Sequence, residues 1–413
     1  MTAQIAIKNE ECIALASDSA VSLGGGKVYN SCCKLFQLSE THPVGIMNYG
    51  VPWLTGVSIE TLIKLYRKDL SGKVLDSLDD YVNGFIAFIV KNNKSFFPKE
   101  KIAEETNRNV LGFLDRDILI PFVEKIESSP DEPSDIVKAE ILNDILDDLE
   151  QALEKTQTLP GKFDKLESQE EKFNDMLIQK CGFSEDCQIN SFALRIKHIL
   201  NMAFQKKCCM GECGGLVFAG FGEKEMHPQI RNIEIYRVIN PVAGSEAIID
   251  YKENDLSEYE NGIFPFAQAE DMVDLYTKDF DWDSLLGEID ILSNQFSDNV
   301  IQKINKKIAS ASYKKAFQKD VDIKEIIAAE RKSFSAGIFY YSDHNYSDQM
   351  RCLPFGLPRE ELANMAEMLI KLTSFRQRVS GEEQSVSEPI DVAVITKADG
   401  FVWHKRKETL TLK

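Results

Sequence analysis

Residues 2–22 read Thr2-Ala3-Gln4-Ile5-Ala6-Ile7-Lys8-Asn9-Glu10-Glu11-Cys12-Ile13-Ala14-Leu15-Ala16-Ser17-Asp18-Ser19-Ala20-Val21-Ser22, and they decide the fold. Ala3, Ile5 and Ile7 alternate with Gln4, Ala6 and Lys8, the period of a half-buried strand. Cys12 to Ala16 is an unbroken apolar run, as in a strand covered on both faces. A glycine-rich turn, Gly24-Gly25-Gly26, follows. It is not a phosphate loop, since no Lys-Ser or Lys-Thr comes after it. Working outward, Val44-Gly45-Ile46-Met47 predicts another buried strand. Trp53, Val57, Leu62, Ile63 and Tyr66 predict a helix beginning near Pro52.

From about Lys94 to Lys207 the pattern becomes helical. Between Lys125 and Lys172 acidic residues outnumber basic ones 14 to 6. Val137, Ile141, Ile145, Leu149 and Ala152 recur at helical spacing behind Ser134, a predicted N-cap. This stripe needs a partner, either the core or another subunit. Strand signals return at Gly214 to Gly220 and Ile233 to Val238, and a second helical stretch is predicted from about Ala267 to Phe334. Pro358 leads a helix whose face carries Leu362, Met365, Ala366, Leu369 and Leu372. Asp391 to Lys397, a turn at Asp399-Gly400, and Phe401 to His404 predict a hairpin. Three strand-rich blocks divided by two helical ones predict a single domain. Its core is about 1–93, 208–275 and 336–413, with insertions at 94–207 and 276–335.

Composition narrows the function. The chain has 413 residues, 43% hydrophobic and 28% charged, which is ordinary globular material. Its net charge of −18 repels phosphate backbones and anionic lipid, so neither nucleic acid nor a membrane surface is expected as a partner. No apolar run is long enough to span a bilayer, and no secretory signal opens the chain. The nine cysteines, with adjacent pairs at Cys32-Cys33 and Cys208-Cys209, do not resemble a disulfide framework and predict a reducing, cytoplasmic location. Cys181, Cys187, Cys208, Cys209 and Cys213 lack clean zinc-ligand spacing. The five histidines form no recognisable triad. No metal or cofactor is expected.

The chemistry is expected at the start of the chain. If Met1 is removed, Thr2 carries a hydroxyl and a free α-amino group on one residue. An α-amine titrates near pH 7.7–8.0, suiting it as a general base for its own hydroxyl. A lysine ammonium at Lys34 would lower the amine's proton affinity, and Asp18 would hold that lysine. Each residue taken singly has an ordinary reading: a small residue after Met1, a turn aspartate, an edge-strand lysine.

Together these residues carry a resemblance. The chain resembles a proteasome-type β subunit of the N-terminal nucleophile hydrolase superfamily. With Thr2 counted as the first mature residue, Asp18 and Lys34 fall where that family keeps its catalytic aspartate and lysine. Asp18-Ser19-Ala20-Val21-Ser22 is similar to the family's Asp-Ser-x-x-Thr turn, with Ser22 in place of the substrate-binding threonine. Gly45-Ile46-Met47-Asn48-Tyr49-Gly50 resembles the Gly-x-Met-Ala-Gly oxyanion segment. It has one extra residue, so the donor is the N–H of Tyr49 or Gly50. Ser380-Gly381 resembles the end of a late Asp-x-x-Ser-Gly motif whose aspartate is here Gln377. The family's Gly-Ser-Gly-Ser-like turn is matched by Gly262 to Gln268, without a serine. The similarity covers about the first 90 residues, then parts of 214–270 and 355–407.

The resemblance implies an α+β fold, a four-layer α/β/β/α sandwich, and a homo-oligomer. It implies a threonine hydrolase that cleaves peptide or protein amide bonds with Thr2, and leaves any ATPase partner open. The altered residues around the triad keep two alternatives: a structural subunit with weak or no activity, and a small-amide hydrolase. A small residue after Met1, with no propeptide before it, predicts a mature chain starting at Thr2.

Overall fold

The computed structural model describes residues 2–23, 27–29, 32–38, 41–127, 133–160, 170–184, 189–211, 213–239, 248–257, 261–267, 355–380 and 386–407. The helical stretch expected at 276–335 lies outside the described residues, as does the glycine turn at 24–26. The fold is α+β, with two five-stranded antiparallel sheets.

The strands of the N-terminal block are β1 (Ala3–Lys8), β2 (Cys12–Ser17), β3 (Val21–Leu23), β4 (Lys27–Tyr29), β5 (Leu35–Gln37) and β6 (Val44–Gly50). Two short strands, β7 (Trp53–Leu54) and β8 (Val57–Ser58), pair with each other before helix α1 (Ile59–Leu70). The helix expected from Pro52 therefore starts at Ile59. Ser58 is its N-cap, its side chain accepting from the Thr61 N–H. Helix α2 (Leu78–Lys91) opens with a capping box between Ser77 and Asp80. The remaining helices of the acidic stretch are α3 (Asn93–Phe96), α4 (Lys99–Phe113), α5 (Ile120–Glu127), α6 (Asp135–Lys155), α7 (Glu170–Gln179) and α8 (Ile189–Gln205). A π-helical segment, Leu114–Leu119, joins α4 to α5. Strands β9 (Gly214–Gly220), β10 (Gln229–Ile239), β11 (Ile248–Asp255) and β12 (Gly262–Ala267) follow, then helix α9 (Arg359–Ser380) and the hairpin β13 (Asp391–Thr396) and β14 (Gly400–Lys405).

The first sheet runs β12-β1-β2-β13-β14 and the second β11-β10-β9-β6-β5. Side chains alternate faces along a strand, and this sorts the core. Ala6, Ile13, Leu15, Ala393 and Ile395 of the first sheet share one apolar cluster with Met47, Val217 and Ala219 of the second. Gly45 lies at that contact. A Cβ there would come within 2.9 Å of Leu15 Cδ1 and Ile395 Cδ1, so the close approach needs glycine. Ile5, Ile7, Ala14, Ala16, Val392 and Val394 face α9 through Leu362, Ala363, Ala366 and Ile370. On the second sheet, Ile46, Phe218, Ile233 and Ile235 cluster with Leu62, Ile63, Tyr66 and Phe85 of α1 and α2.

Three expectations change. β1 is buried along its whole length, including Gln4 and Lys8, because strands flank it on both sides and both its faces are covered. Gly262 to Ala267 is strand β12 rather than a supporting turn, and pairs with β1 from Ala3↔Ala267 to Lys8↔Gly262. Helix α6 buries Leu142, Ile145, Leu146 and Leu153, while Val137 is 40% exposed. Its face is rotated from the predicted stripe. It packs within this chain, against Phe113, Ile118, Phe122, Phe192 and Ile196. The buried face of α6 is thus covered within this chain, while Val137 and Ala152 of the predicted stripe stay exposed.

Cysteine pairing also differs from expectation. Cys209 and Cys213 form a disulfide across the turn at Gly211. A disulfide at these two residues departs from the free thiols expected of a reducing location. Among the described residues no helix is long and apolar enough to cross a membrane.

Candidate active site

Thr2 precedes β1 and is 4% exposed. Asp18 follows β2, the neighbour of β1 in register Gln4↔Ser17, so the strand pairing alone brings Asp18 to the start of β1. The Asp18 N–H donates to Ala3 O at 3.2 Å, and the Ala3 N–H donates back to Asp18 Oδ1 at 3.1 Å. Asp18 Oδ2 accepts from the Ala20 N–H at 2.9 Å. Lys34 lies just before β5, in the other sheet, and its Nζ donates to Asp18 Oδ1 at 2.8 Å. Both side chains are buried, Asp18 completely.

The structure therefore brings Thr2, Asp18 and Lys34 together. One carboxylate oxygen holds both the lysine and the backbone of the residue after Thr2. Burial lowers the proton affinity of Lys34 below the usual lysine range, against the opposing pull of Asp18. The carboxylate repays its own burial with three donors.

Tyr49 and Gly50 end β6 on the same side of the molecule. The Asn48 N–H donates to Lys34 O at 2.9 Å, and the Val51 N–H to Cys213 O at 3.3 Å. Backbone N–H groups alternate sides along a strand. The Gly50 N–H therefore shares the side of Asn48 and the Lys34 segment, while the Tyr49 N–H faces β9. Gly50 is exposed, with φ +71, and a Cβ there would lie 2.4 Å from Cys213 O. The Tyr49 side chain turns elsewhere, its hydroxyl donating to Asn232 Oδ1 at 3.0 Å. Ser22 lies in β3, opposite Val28 of β4. Ser380 is the last residue of α9, and Gly381 lies outside the described residues. Gln377 braces the segment after α9, its Oε1 accepting from the Val386 N–H at 2.9 Å.

Several residues near the site carry no sequence signal. Gln4 Nε2 spans the two sheets, donating to Asn48 O at 2.7 Å and Ser17 Oγ at 3.0 Å. Ser387 O accepts from the Ser19 N–H at 3.4 Å. The buried Ser387 Oγ has no hydrogen-bond partner among the described residues. Lys407 and Asp391 form a further buried ion pair at 3.1 Å. Only Asp391 had a legible place, opening a predicted strand. Among the described residues no group of three or more His, Cys, Asp or Glu is arranged to hold a metal ion.

The fold and site thus define an α+β protein with a buried lysine–carboxylate pair at its N-terminal strand. No family model matches the chain, and no curated protein matches it. Among solved structures it is similar to Anbu from Hyphomicrobium sp. strain MC1, at 9% identity. That match covers 98% of this chain and 86% of the other, with a TM-score of 0.28.

Proposed function

We propose that this protein is a threonine-type N-terminal nucleophile hydrolase acting on the amide bonds of peptides or proteins. The observation that carries the reading is Asp18 Oδ1, which accepts from Lys34 Nζ at 2.8 Å and from the N–H next to Thr2 at 3.1 Å. With Met1 removed, Thr2 Oγ attacks the substrate carbonyl. Its proton passes to the Thr2 α-amine, through a water, and later to the leaving amine. Lys34 lowers the proton affinity of that amine, and Asp18 orients Lys34. Of the two oxyanion donors expected from sequence, the strand alternation favours the Gly50 N–H. Water then cleaves the acyl-enzyme. On this reading the two sheets and their covering helices are the layers of an α/β/β/α sandwich, interrupted at 94–207 and 276–335. The working form is a homo-oligomer in the cytoplasm.

The test is incubation with an N-terminal-threonine-directed β-lactone or epoxyketone, then intact mass and peptide mapping. The expected result is one adduct, on Thr2, in a chain lacking Met1, and none in Thr2→Ala. An adduct elsewhere, or Thr2→Ala labelling as fast as wild type, overturns the mechanism. A second reading, a structural subunit, is favoured by the 4% exposure of Thr2. A folded wild type that lacks Met1 and never labels selects it.

A further inference from the structure

We infer that Lys407, paired with Asp391, is a positioning residue for the Thr2 site, clamping the segment that runs from Asp18 to Lys34. The inference rests on the hydrolase reading above for its consequence, though not for its geometry. Lys407 follows β14 and is 9% exposed. Its Nζ donates to Ser19 Oγ at 2.8 Å and to Cys32 O, and meets Asp391 Oδ2 at 3.1 Å. Its backbone N–H donates to the other oxygen, Asp391 Oδ1, at 2.8 Å. Ser19 is the residue after Asp18, and Cys32 stands two before Lys34. The Cys32 N–H donates to Ser19 O at 3.3 Å, closing the segment on itself. Ser19 Oγ is held again by Pro389 O at 2.6 Å.

One ammonium therefore fixes both ends of the segment that carries the Asp18–Lys34 pair. A buried ammonium in this role needs a counter-charge. Lys407 has one, gripped through both oxygens. The arrangement also sets two lysine charges in one buried neighbourhood. The charged or titratable groups facing Lys34 are Asp18 from the end of β2, Cys32 from its own segment and Lys407 from the end of β14. Lys407 acts on Lys34 in the same direction as burial, toward the neutral amine. Asp391 moderates that effect by neutralising Lys407. The pair thus governs both where Lys34 sits and how readily it gives up its proton.

Three variants read this out: Lys407→Met, which keeps the length and removes the charge, Lys407→Arg, and Asp391→Asn. Each is examined in two ways, by β-lactone labelling rate against pH and by NMR titration of [13Cε]lysine-labelled chain, with Lys34 assigned from Lys34→Met. In Lys407→Met, labelling is expected to slow about tenfold or more through loss of positioning. The Lys34 titration midpoint is expected to rise by about half a unit, because a repelling cation has gone. In Asp391→Asn the midpoint is expected to fall, since Lys407 then acts unneutralised. Lys407→Arg keeps the charge and should leave the midpoint near wild type. A merely structural role would lower the labelled fraction without moving either midpoint in opposite directions. An unmoved Lys34 midpoint in folded Lys407→Met overturns the inference; if that variant does not fold, an unmoved or raised midpoint in Asp391→Asn does so. Wild type that never labels, while Lys34 still answers to Lys407 and Asp391, overturns the hydrolase reading alone.

Discussion

Two fully buried ion pairs anchor different parts of this molecule, and they are built differently. Asp18–Lys34 joins the two sheets at the N-terminus. Arg237–Asp250 joins β10 to β11 where the helical stretch meets the second sheet. Arg237 Nε donates to Asp250 Oδ2 at 3.0 Å, and Nη2 reaches the carbonyls of Ala203, Phe204 and Lys206 at the end of α8. Its guanidinium also lies over the Phe204 ring and against Met210 Sδ. It caps the negative end of α8 and fastens it to the sheet. Here the cation is saturated and the carboxylate is not, because Asp250 Oδ1 has no partner among the described residues. In the other pair the carboxylate is saturated by three donors and the cation is a compact lysine. An arginine stays charged at any working pH, so its pair is architecture. Burial moves a lysine toward the range where a proton can be given up, so its pair can do chemistry.

The largest expected effect comes from exchanging the two cations. Lys34→Arg should lower β-lactone labelling about 100-fold or more while the chain stays folded, since a planar fork cannot replace a point charge beside Thr2. Arg237→Lys should lose about 3 kcal/mol of stability in denaturant unfolding, through carbonyls left without donors and a weakened pair. If the first variant only unfolds, or the second only slows labelling, the division between chemistry and architecture fails.

Gly50→Ala sharpens the comparison on the chemical side. A side chain at φ +71, pressed on Cys213 O, should cost about 1–3 kcal/mol and carry a larger labelling loss than that instability explains. Equal labelling per folded molecule would remove Gly50 from the oxyanion role.

The carboxylates should also separate by pH. Burial raises the Asp250 carboxyl to about 6, above its ordinary value. The folded chain then holds that proton more tightly than the unfolded chain. Stability from this group therefore rises as pH falls through about 6 and is complete below the ordinary carboxyl value. Between pH 7.5 and 4.5 the wild type should gain about 2 kcal/mol relative to Asp250→Asn in denaturant unfolding. A gain of the opposite sign would mean that Asp250 holds its charge for Arg237.

The smallest effect is expected where the two regions meet. The Cys209–Cys213 loop touches Arg116 of the π-helical segment on one side, and Gly50 and Val51 on the other. Cys209→Ser should cost about 1–2 kcal/mol, because so short a loop constrains few unfolded conformations. It should change labelling only severalfold. A loss as large as that of Lys34→Arg would make the loop part of the site.

Much of this was legible in local pattern. The unbroken run Cys12 to Ala16 specified a strand covered on both faces, and β2 lies between β1 and β13. The intervals from Thr2 to Asp18 and Lys34 named residues that the structure does bring together. Other readings failed where neighbours decide burial. Gln4 and Lys8 look like the polar face of a half-buried strand, yet that face is covered too, with Gln4 Nε2 donating to Asn48 O of the second sheet and Lys8 Nζ to Ser257 O. The stripe on α6 was assigned the wrong centre because its partners come from helices on both sides of it in sequence. Cysteine spacing around Gly211 gave no disulfide signal, since a turn rather than a motif closes it.

The sequence by itself determined most of the element types, because those follow from period and run length along short stretches, and its resemblance to a known family singled out Thr2, Asp18 and Lys34. Only the tertiary structure decided that Asp18 Oδ1 serves Lys34 and Ala3 at once, that Gly50 rather than Tyr49 turns its N–H to that side, and that Lys407 reaches Ser19 across 388 residues of chain. The physical reason is range. Local periodicity records which face of an element is apolar. A buried charge is fixed by partners from several elements, and no single stretch of sequence carries that information.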